Sequence, residues 1–393
     1  MAISRVLSLR AVNRALLARQ LLLDRPRLPD SGPARTAQVV QTIEHLVGLQ
    51  AQAPFPPYYG LHSRLDGFRP ADLATLITDR SVVRIALMRG TIHLVSARDC
   101  LPLRWLVQPV IERGMRGAFG RQLAGVDTRM LAVAGRSLVD AEPMTFSQLG
   151  QALAARWPDH PPAALAQGVR ALVPLVQVPP RAVWGQAGQS LHTSAEHWLG
   201  QPGPPAGRAH PSRPASRAEL AQLVTRYLGA FGPATVRDVQ AWSGLTGLKA
   251  VLEQLRTSLV TFRDEQGAEL FDLPSAPRPG GDVPAPVRLV AEFDNLVLSH
   301  ADRSRVISAA NAKRFYPVNG VIPGSVLIDG FVAGMWRVAR GRGAATLTIE
   351  LFGPTRQRAG LAGEAERVLS FCAPDASYDV RFGPLAEMAV RSP

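Results

Sequence analysis

The sequence has little cysteine and almost no lysine for a chain of 393 residues. Its two cysteines, Cys100 and Cys372, are too few for a disulfide framework, and neither lies in a metal-ligand spacing such as CxxC. No stretch of about 18 apolar residues is free of charge, which argues against a transmembrane helix. Arginines also run through the apolar N-terminal pattern, which argues against a signal peptide. We therefore expect a cytoplasmic protein without a membrane partner.

Several common catalytic motifs are also absent. The sequence contains no GxxxxGK[ST], no HExxH and no GxSxG, and its eight histidines show no zinc-ligand spacing. These absences exclude the usual classes of nucleotide hydrolase, zinc protease and serine hydrolase. We expect no cofactor and no metal.

Charge is the most informative feature of the composition. The 44 basic residues outnumber the 31 acidic ones and give a formal net charge of +13, and all but Lys249 and Lys313 are arginine. The excess of basic residues lies towards the two ends of the chain, whereas residues 251–300 contain more acidic than basic side chains. A balance of this size favours a polyanionic partner, which binds through phosphate contacts.

Two stretches rich in proline and glycine, 201–215 and 274–286, are predicted linkers. Between them, residues 216–273 have the pattern of a winged helix, with three helical segments followed by a strand pair. Ser216 and Glu219 form a capping box at the start of the first of these helices.

The same order of elements is predicted twice more. Residues 1–125 have this pattern with an additional N-terminal helix, and residues 126–200 repeat it less clearly. From residues 287–393 the pattern changes to strands, which predicts a small β-barrel-like domain. The predicted fold class is therefore α+β, with three tandem winged-helix domains and a C-terminal β-barrel-like domain.

The segment 46–61, LVGLQAQAPFPPYYGL, contains the strongest candidate site. A helix is predicted to end at Gly48, and the prolines that follow favour extended backbone. In extended backbone Gln50 and Gln52 share one face with Ala51 opposite, so two amides can hold one small polar group. The alternative is that these glutamines only cap the exposed end of the helix.

Five blocks of the sequence together resemble one protein family. In order along the chain they are LVGLQAQAPFPPYYGLHSRL, MRGTIHLVS, YLGAFGPAT with AWSGL, AEFDNLVLSHADR and VLIDGFVAGMW. This combination is similar to the winged-helix DNA glycosylases of the AlkZ type, over about residues 8–385. The resemblance implies three winged helices and a C-terminal β-barrel around duplex DNA. It also implies catalysis by a Gln-x-Gln pair, which corresponds to Gln50 and Gln52.

The second glutamine of the pair has a further implication. A sister branch of the family has Asp at the position of Gln52, so the resemblance places this chain with the crosslink-unhooking branch. That branch includes self-resistance enzymes of bacteria that make DNA-alkylating antibiotics. Neutral amides fit the release of a purine alkylated at N7, because such a base is already cationic and leaves without protonation. The implied partner is double-stranded DNA with alkylated purines. With Lys249 and Lys313 as the only lysines, we expect a monofunctional glycosylase rather than a lyase.

Six further residues are candidates for DNA contact, namely Arg64, Arg84, Arg89, His93, Arg303 and Arg305. For His93 a buried structural role is an equal alternative, and the arginines near the glutamine pair could simply be solvated. Asp294 is interpreted as structural. In the predicted hairpin 327–336, Phe331 and Trp336 could enter a DNA groove, although core packing is the preferred role for Trp336.

Two other functions fit a chain of winged helices. One is a transcriptional regulator, which would normally have a single such domain and a dimerisation element. The other is a structural DNA-binding protein, which differs from a glycosylase only in that it does not excise bases. We expect a monomeric enzyme.

Overall fold

The computed structural model describes residues 6–202, 215–316 and 320–385. These residues form a mixed α+β fold, which confirms the α+β part of the predicted fold class, while the count of three winged-helix domains stays a prediction. Their strands form two five-stranded sheets and one two-stranded sheet. No helix in these three ranges is long and apolar enough to cross a membrane.

The first part of the chain is built around one five-stranded sheet with the strand order β1-β3-β2-β4-β5, in which all neighbours are antiparallel. Its elements are α1 (Leu9–Arg19), α2 (Pro33–His45), β1 (Leu49–Gln50), α3 (Pro56–His62), α4 (Pro70–Thr78), β2 (Val82–Ala86), β3 (Ile92–Ser96), α5 (Ala97–Leu106), α6 (Gln108–Phe119), α7 (Thr128–Ala141), α8 (Phe146–Ala154), α9 (Pro162–Leu172), β4 (Leu175–Gln177), β5 (His192–Ser194) and α10 (Ala195–Leu199).

This sheet takes strands from both sides of the predicted boundary between residues 125 and 126. Strand β2 pairs with β4 through Arg84 opposite Gln177 and Ile85 opposite Val176. All five residues of β2 are buried, as expected for a strand with neighbours at both edges and helices over its faces. The first two predicted units therefore share one sheet, and the division of the chain into domains stays a prediction.

The middle part follows the predicted order of three helices and a hairpin. Its elements are α11 (Arg217–Phe231), α12 (Val236–Ser243), α13 (Lys249–Leu255), β6 (Val260–Arg263) and β7 (Glu269–Asp272). The capping box of Ser216 and Glu219 is present at the start of α11. A second capping box, of Thr235 and Asp238, starts α12, and Gly244 ends that helix in the left-handed conformation.

The last part contains a second five-stranded sheet with the order β12-β11-β10-β9-β8. Its elements are β8 (Arg288–Val290), α14 (Ala309–Phe315), β9 (Gly324–Ile328), β10 (Phe331–Gly341), β11 (Ala344–Leu351), α15 (Arg358–Cys372) and β12 (Ser377–Phe382). Strands β11 and β12 are parallel, and the long crossover between them is helix α15.

The described strands of this part form an open sheet and no closed barrel, which corrects the expected β-barrel. Strands β8 and β12 lie at opposite edges. The apolar face is covered by α15, through Leu361 and Leu369, instead of by curling of the sheet onto itself. Trp336 lies in this core and donates from Nε1 to the carbonyl of Val290 over 2.8 Å, in the core position that was preferred for it.

Helix α1 holds the three parts of the chain together. Arg19 forms a buried bidentate ion pair with Asp272 at the end of β7, with N–O distances of 2.7 and 2.8 Å. At its other end, Asn13 donates to the carbonyl of Gly330, in the turn between β9 and β10. Arg10 and Arg14 pair with Asp329 in the same turn. This turn is therefore docked on α1, and a DNA contact by Phe331 on the adjoining strand stays a prediction.

Candidate active site

Strand β1 fixes the positions of Gln50 and Gln52. The chain leaves α2 through Gly48 at φ 90°, where an added Cβ would lie 2.7 Å from the side chain of Val95. Gln50 then pairs with His93 of β3, and the amide of Ala51 donates to the carbonyl of Ile92 over 2.7 Å. The backbone is thus extended, as predicted, and the prolines begin α3 only at residue 56.

The two glutamines share one face of this extended segment. Both line the same cleft, whereas Ala51 between them is fully buried in the core on the other side. Gln50 is 8% exposed and Gln52 is exposed at the surface. The carbonyl of Ala51 accepts a hydrogen bond of 2.7 Å from buried Arg84, which holds the segment from the core side. The predicted geometry of the pair is therefore present.

All three parts of the chain contribute to the cleft, which has a volume of about 400 Å³. The described residues that line it are Gln50, Gln52, Arg89, Thr91, Ala241, Phe293, Leu298, His300, Ala301, Arg303, Gly320 and Ile322. None of these carries a carboxylate. The described lining of the cleft therefore presents amides and positive charge but no acidic side chain.

Arg89 is hydrogen-bonded directly to Gln50, the first glutamine of the pair. It lies in the turn between β2 and β3, at φ 57° and ψ 13°. Its Nη2 donates to Oε1 of Gln50 over 2.6 Å and to Oδ1 of Asn295 over 3.1 Å, and its Nη1 donates to the carbonyl of Trp242 over 2.7 Å. Burial, with a smaller contribution from Arg303, lowers the pKa of Arg89 to about 10, so the guanidinium stays charged at neutral pH.

The histidines near the cleft cannot act as acids at neutral pH. His93 is fully buried and its Nδ1 contacts the carbonyl of Thr91, so it has the structural role and not a DNA contact. Burial lowers its pKa to about 3. His300, beside the carbonyl of Phe231, is also buried and its pKa is likewise lowered to about 3. Both rings are neutral at physiological pH, so neither supplies a proton to a leaving group.

Arg64 is not a surface ligand for DNA, which corrects its expected role. Its guanidinium is buried and forms two hydrogen bonds of 2.8 Å with Asp294, from 230 residues further along the chain. Gln20 accepts a further bond from the same guanidinium. Asp294 also accepts from the amide of Leu296, so it has the structural role that was expected.

The remaining basic candidates divide by their exposure. Arg84 and Arg305 are buried, and Arg305 bonds to the carbonyl of Pro233 and to Asp238. Both are therefore internal residues, which corrects their expected contact with DNA. Arg303 is half-buried, lines the cleft and stacks over the ring of Tyr316 at 4.5 Å. Of the six candidates, only Arg89 and Arg303 line the cleft.

Asn295 and the carbonyl of Trp242 were not predicted as part of the site. Both bond to Arg89, and both lie in blocks that carry the family resemblance. No local pattern marks a backbone carbonyl or a single asparagine as the partner of an arginine that is more than 150 residues away. Only the folded chain brings them together.

Comparison with known proteins identifies the family. A family model described as DNA glycosylase AlkZ-like matches residues 43–371, which is most of the chain and includes the whole of the cleft. The chain belongs to the AlkZ-like family of DNA glycosylases. Its substrate class is therefore DNA, and the resemblance noted in the sequence is confirmed.

A solved structure of DNA glycosylase AlkZ from Streptomyces sahachiroi has the same fold as this AlkZ-like chain. The two superpose with a TM-score of 0.74 at 18% sequence identity, and the match covers 96% of this chain and all of that one. At this identity the likeness shows the fold alone. The comparison with curated proteins gives no match.

Proposed function

We propose that this AlkZ-like glycosylase hydrolyses the N-glycosidic bond of N7-alkylated purines in double-stranded DNA and leaves an abasic site. The observation that carries the proposal is the position of Gln50 and Gln52 on one face of a cleft whose described lining has no carboxylate. An N7-alkylated purine is cationic, so it leaves without an acid to protonate it. A site whose described lining has no acid to protonate the leaving group suits such a base and does not suit a neutral one.

The hydrogen bonds of the two glutamines suggest how they act on a water molecule. Oε1 of Gln50 accepts from Arg89 over 2.6 Å, and Oε1 of Gln52 accepts from the amide of Ile92 over 3.2 Å. A carbonyl oxygen has two lone pairs, so each amide keeps one acceptor position. These two positions would orient a water molecule towards C1′ of the damaged nucleotide. The two amides would act by positioning this water, because an amide is too weak a base to remove a proton from it early in the reaction.

A monofunctional reaction follows from the positions of the lysines. Lys249 begins α13 and Lys313 is on α14, and neither lines the cleft. A lyase needs an amine nucleophile within reach of the sugar. The protein therefore uses water and stops at the abasic site. We place Arg303 among the DNA contacts, because it lines the same cleft and is partly exposed.

The size of the proposed substrate follows from the open shape of the cleft and from the presence of glutamine at both positions of the pair. A base that is crosslinked to the other strand, or that carries a bulky group, cannot rotate fully into a closed pocket. An open cleft at the protein surface, together with glutamine at both positions of the pair, favours release of bulky N7-guanine adducts and unhooking of N7 crosslinks. Self-resistance in a bacterium that makes a DNA-alkylating natural product is the proposed biological role.

The test is single-turnover excision from three matched duplexes that contain N7-methylguanine, a bulky N7-guanine adduct or uracil. We expect release of both N7 lesions and no release of uracil. Gln50→Ala and Gln52→Ala should each slow excision at least about tenfold, which is on the order of 1.4 kcal/mol in the barrier, with duplex binding nearly intact.

A matched control is Gln266→Ala, which removes an exposed glutamine from the turn between β6 and β7, outside the cleft. Its excision rate should equal that of the wild type. An unchanged rate in the double variant of Gln50 and Gln52 would disprove their catalytic assignment. Release of uracil with no activity on either N7 lesion would disprove the proposed chemistry.

A further inference from the structure

Arg89 has a specific relation to the proposed catalytic pair. We propose that Arg89 is a positioning residue, which fixes the orientation of the Gln50 amide and thereby the water-binding position of the site. The inference rests on the proposed function of Gln50. It assigns to Arg89 a role different from a phosphate contact, because the guanidinium is bonded to the protein through both of its terminal nitrogens.

The chemistry of the contact determines which way the amide faces. An arginine side chain has only donors, so the group of Gln50 that faces it must be the carbonyl oxygen. The bond from Nη2 to Oε1 is 2.6 Å long, as expected for a donor that carries a full charge. The opposite orientation would place the NH2 group of Gln50 against the guanidinium, donor against donor. Arg89 therefore keeps the free lone pair of Gln50 in one place.

Arg89 is itself held from three parts of the chain. Nη1 donates to the carbonyl of Trp242 near the end of α12, and Nη2 is shared between Gln50 and Asn295. The amide of Asn295 in turn approaches the carbonyl of Gly48 at 3.5 Å, just before the pair. The guanidinium thus has one position relative to β1, α12 and the segment after β8.

The backbone of the turn supports the same position. Arg89 adopts the left-handed conformation, which is unfavourable for a residue with a side chain and persists only where its surroundings enforce it. The next residue, Gly90, has its carbonyl bonded to Arg170 of α9 over 3.2 Å. On the other side, an added Cβ at Gly244 would lie 3.6 Å from Cα of Arg89, so α12 packs closely against the turn.

The experiment is a double-mutant cycle measured by single-turnover excision of N7-methylguanine at saturating enzyme. We expect Arg89→Met to slow excision about tenfold in the wild-type background and by less than about twofold in the Gln50→Ala background. The matched control is Arg303→Met, which removes a cleft arginine that has no hydrogen bond to Gln50. Its effect should be the same in both backgrounds.

A conservative substitution distinguishes the positioning role of Arg89 from the effect of its charge. Lysine keeps the charge but lacks the planar fork, so Arg89→Lys should be nearly as slow as Arg89→Met, with duplex affinity unchanged. If Arg89→Lys restores the wild-type rate, or if Arg89→Met costs the same tenfold in both backgrounds, the positioning role is wrong. Thermal unfolding of each variant identifies any that does not fold, and Arg89→Lys serves as the variant of least change.

A readout without substrate separates this inference from the proposed function. Nitrogen-15 relaxation of the Gln50 side-chain NH2 group should show a rigid amide in the wild type and a mobile one in Arg89→Met. An amide that is equally rigid in both would overturn the positioning role. A wild-type protein that excises none of the N7 lesions, yet shows this change in mobility, would overturn the proposed function and leave the positioning role supported.

Discussion

At the scale of single residues, many of the arginines are structural. Arg14, Arg19, Arg64 and Arg104 are among the largest fully buried side chains of the described chain. Each donates hydrogen bonds to carboxylates, amides or backbone carbonyls. The count of 44 basic residues therefore overstates the number of basic side chains that are available at the surface to contact DNA phosphates.

The ion pair of Arg64 and Asp294 gives the first prediction at this scale. Asp294→Ala leaves a buried guanidinium without its counter-charge, so we expect the free energy of unfolding to fall by about 3 to 5 kcal/mol. Chemical denaturation measures the loss. The control is Asp30→Ala, which breaks an exposed pair with Arg27 and should cost less than about 1 kcal/mol. Equal losses in the two variants would show that burial of the pair does not matter.

The candidate site was predictable to the extent that its geometry is local. Gln50 and Gln52 lie two apart in an extended segment marked by Gly48 and the prolines, so their shared face follows from the sequence. The roles of Arg64 and Arg305 depend on partners that the fold brings from distant parts of the chain. An arginine on a buried ion pair and one on a phosphate have the same sequence signature.

At the scale of elements, the turn between β9 and β10 gives the second prediction. Gly330 has φ 80°, and an added Cβ would lie 2.5 Å from Oδ1 of Asn13 and 2.6 Å from Cδ1 of Leu17. Gly330→Ala should therefore push the turn away from α1. The control is Gly343→Ala, in the turn between β10 and β11, which has φ 68° but open space around it.

Both substitutions carry the cost of a left-handed alanine, about 1 to 2 kcal/mol, and only Gly330→Ala adds the clash with α1. We expect it to lower the free energy of unfolding by at least about 2 kcal/mol more than the control does. Thermal unfolding of the two variants measures the difference. If the two melting temperatures agree, the docking of this turn on α1 contributes nothing to stability.

Elements were predicted best where caps and periodicity lie close together in sequence. Helix α11 begins at the predicted capping box, because the cap and its partner are three residues apart. The pairing of β11 with β12 was missed. A parallel pair is joined by a crossover helix, and no short-range pattern tells which strand the helix returns to. An open sheet covered by α15 therefore stands where a barrel was expected.

At the scale of the whole molecule, four histidines among the described residues are buried, in different parts of the structure. The pKa of His62, His93 and His300 is lowered to about 3, and that of His192 to about 4, with burial as the main cause in each case. An unfolded histidine has a pKa of about 6.5. Below that pH the unfolded chain binds protons that the folded chain refuses, so acid favours unfolding.

The third prediction follows from this difference in proton binding. Stability should be insensitive to these histidines above about pH 7 and should fall as the pH decreases from about 6.5 towards 4. Each histidine contributes up to about 1.4 kcal/mol per pH unit. Denaturation midpoints measured between pH 7.5 and pH 4.5 test this slope. A stability that does not change over this range would contradict the burial of neutral histidines.

One of the four histidines, His62, allows part of the pH dependence of stability to be assigned to a single residue. Both ring nitrogens of His62 lack a hydrogen-bond partner in the described structure, and its ring stacks on Phe371 at 4.3 Å. His62→Phe should therefore be tolerated and should reduce the acid slope by about a quarter. His197→Asn, at an exposed position, is the control and should leave the slope unchanged. Equal slopes in the two variants would contradict the contribution assigned to His62.

The shared first sheet has a consequence for any attempt to divide the molecule. Strand β2 has β3 at one edge and β4 at the other, and β4 comes from beyond residue 126. A fragment that stopped near residue 125 would keep β3 but lose β4, so the outer edge of β2 would present unpaired amides and carbonyls among apolar side chains. Such an edge is a template for another copy of the same strand. Truncation there would yield a self-associating piece instead of an isolated module.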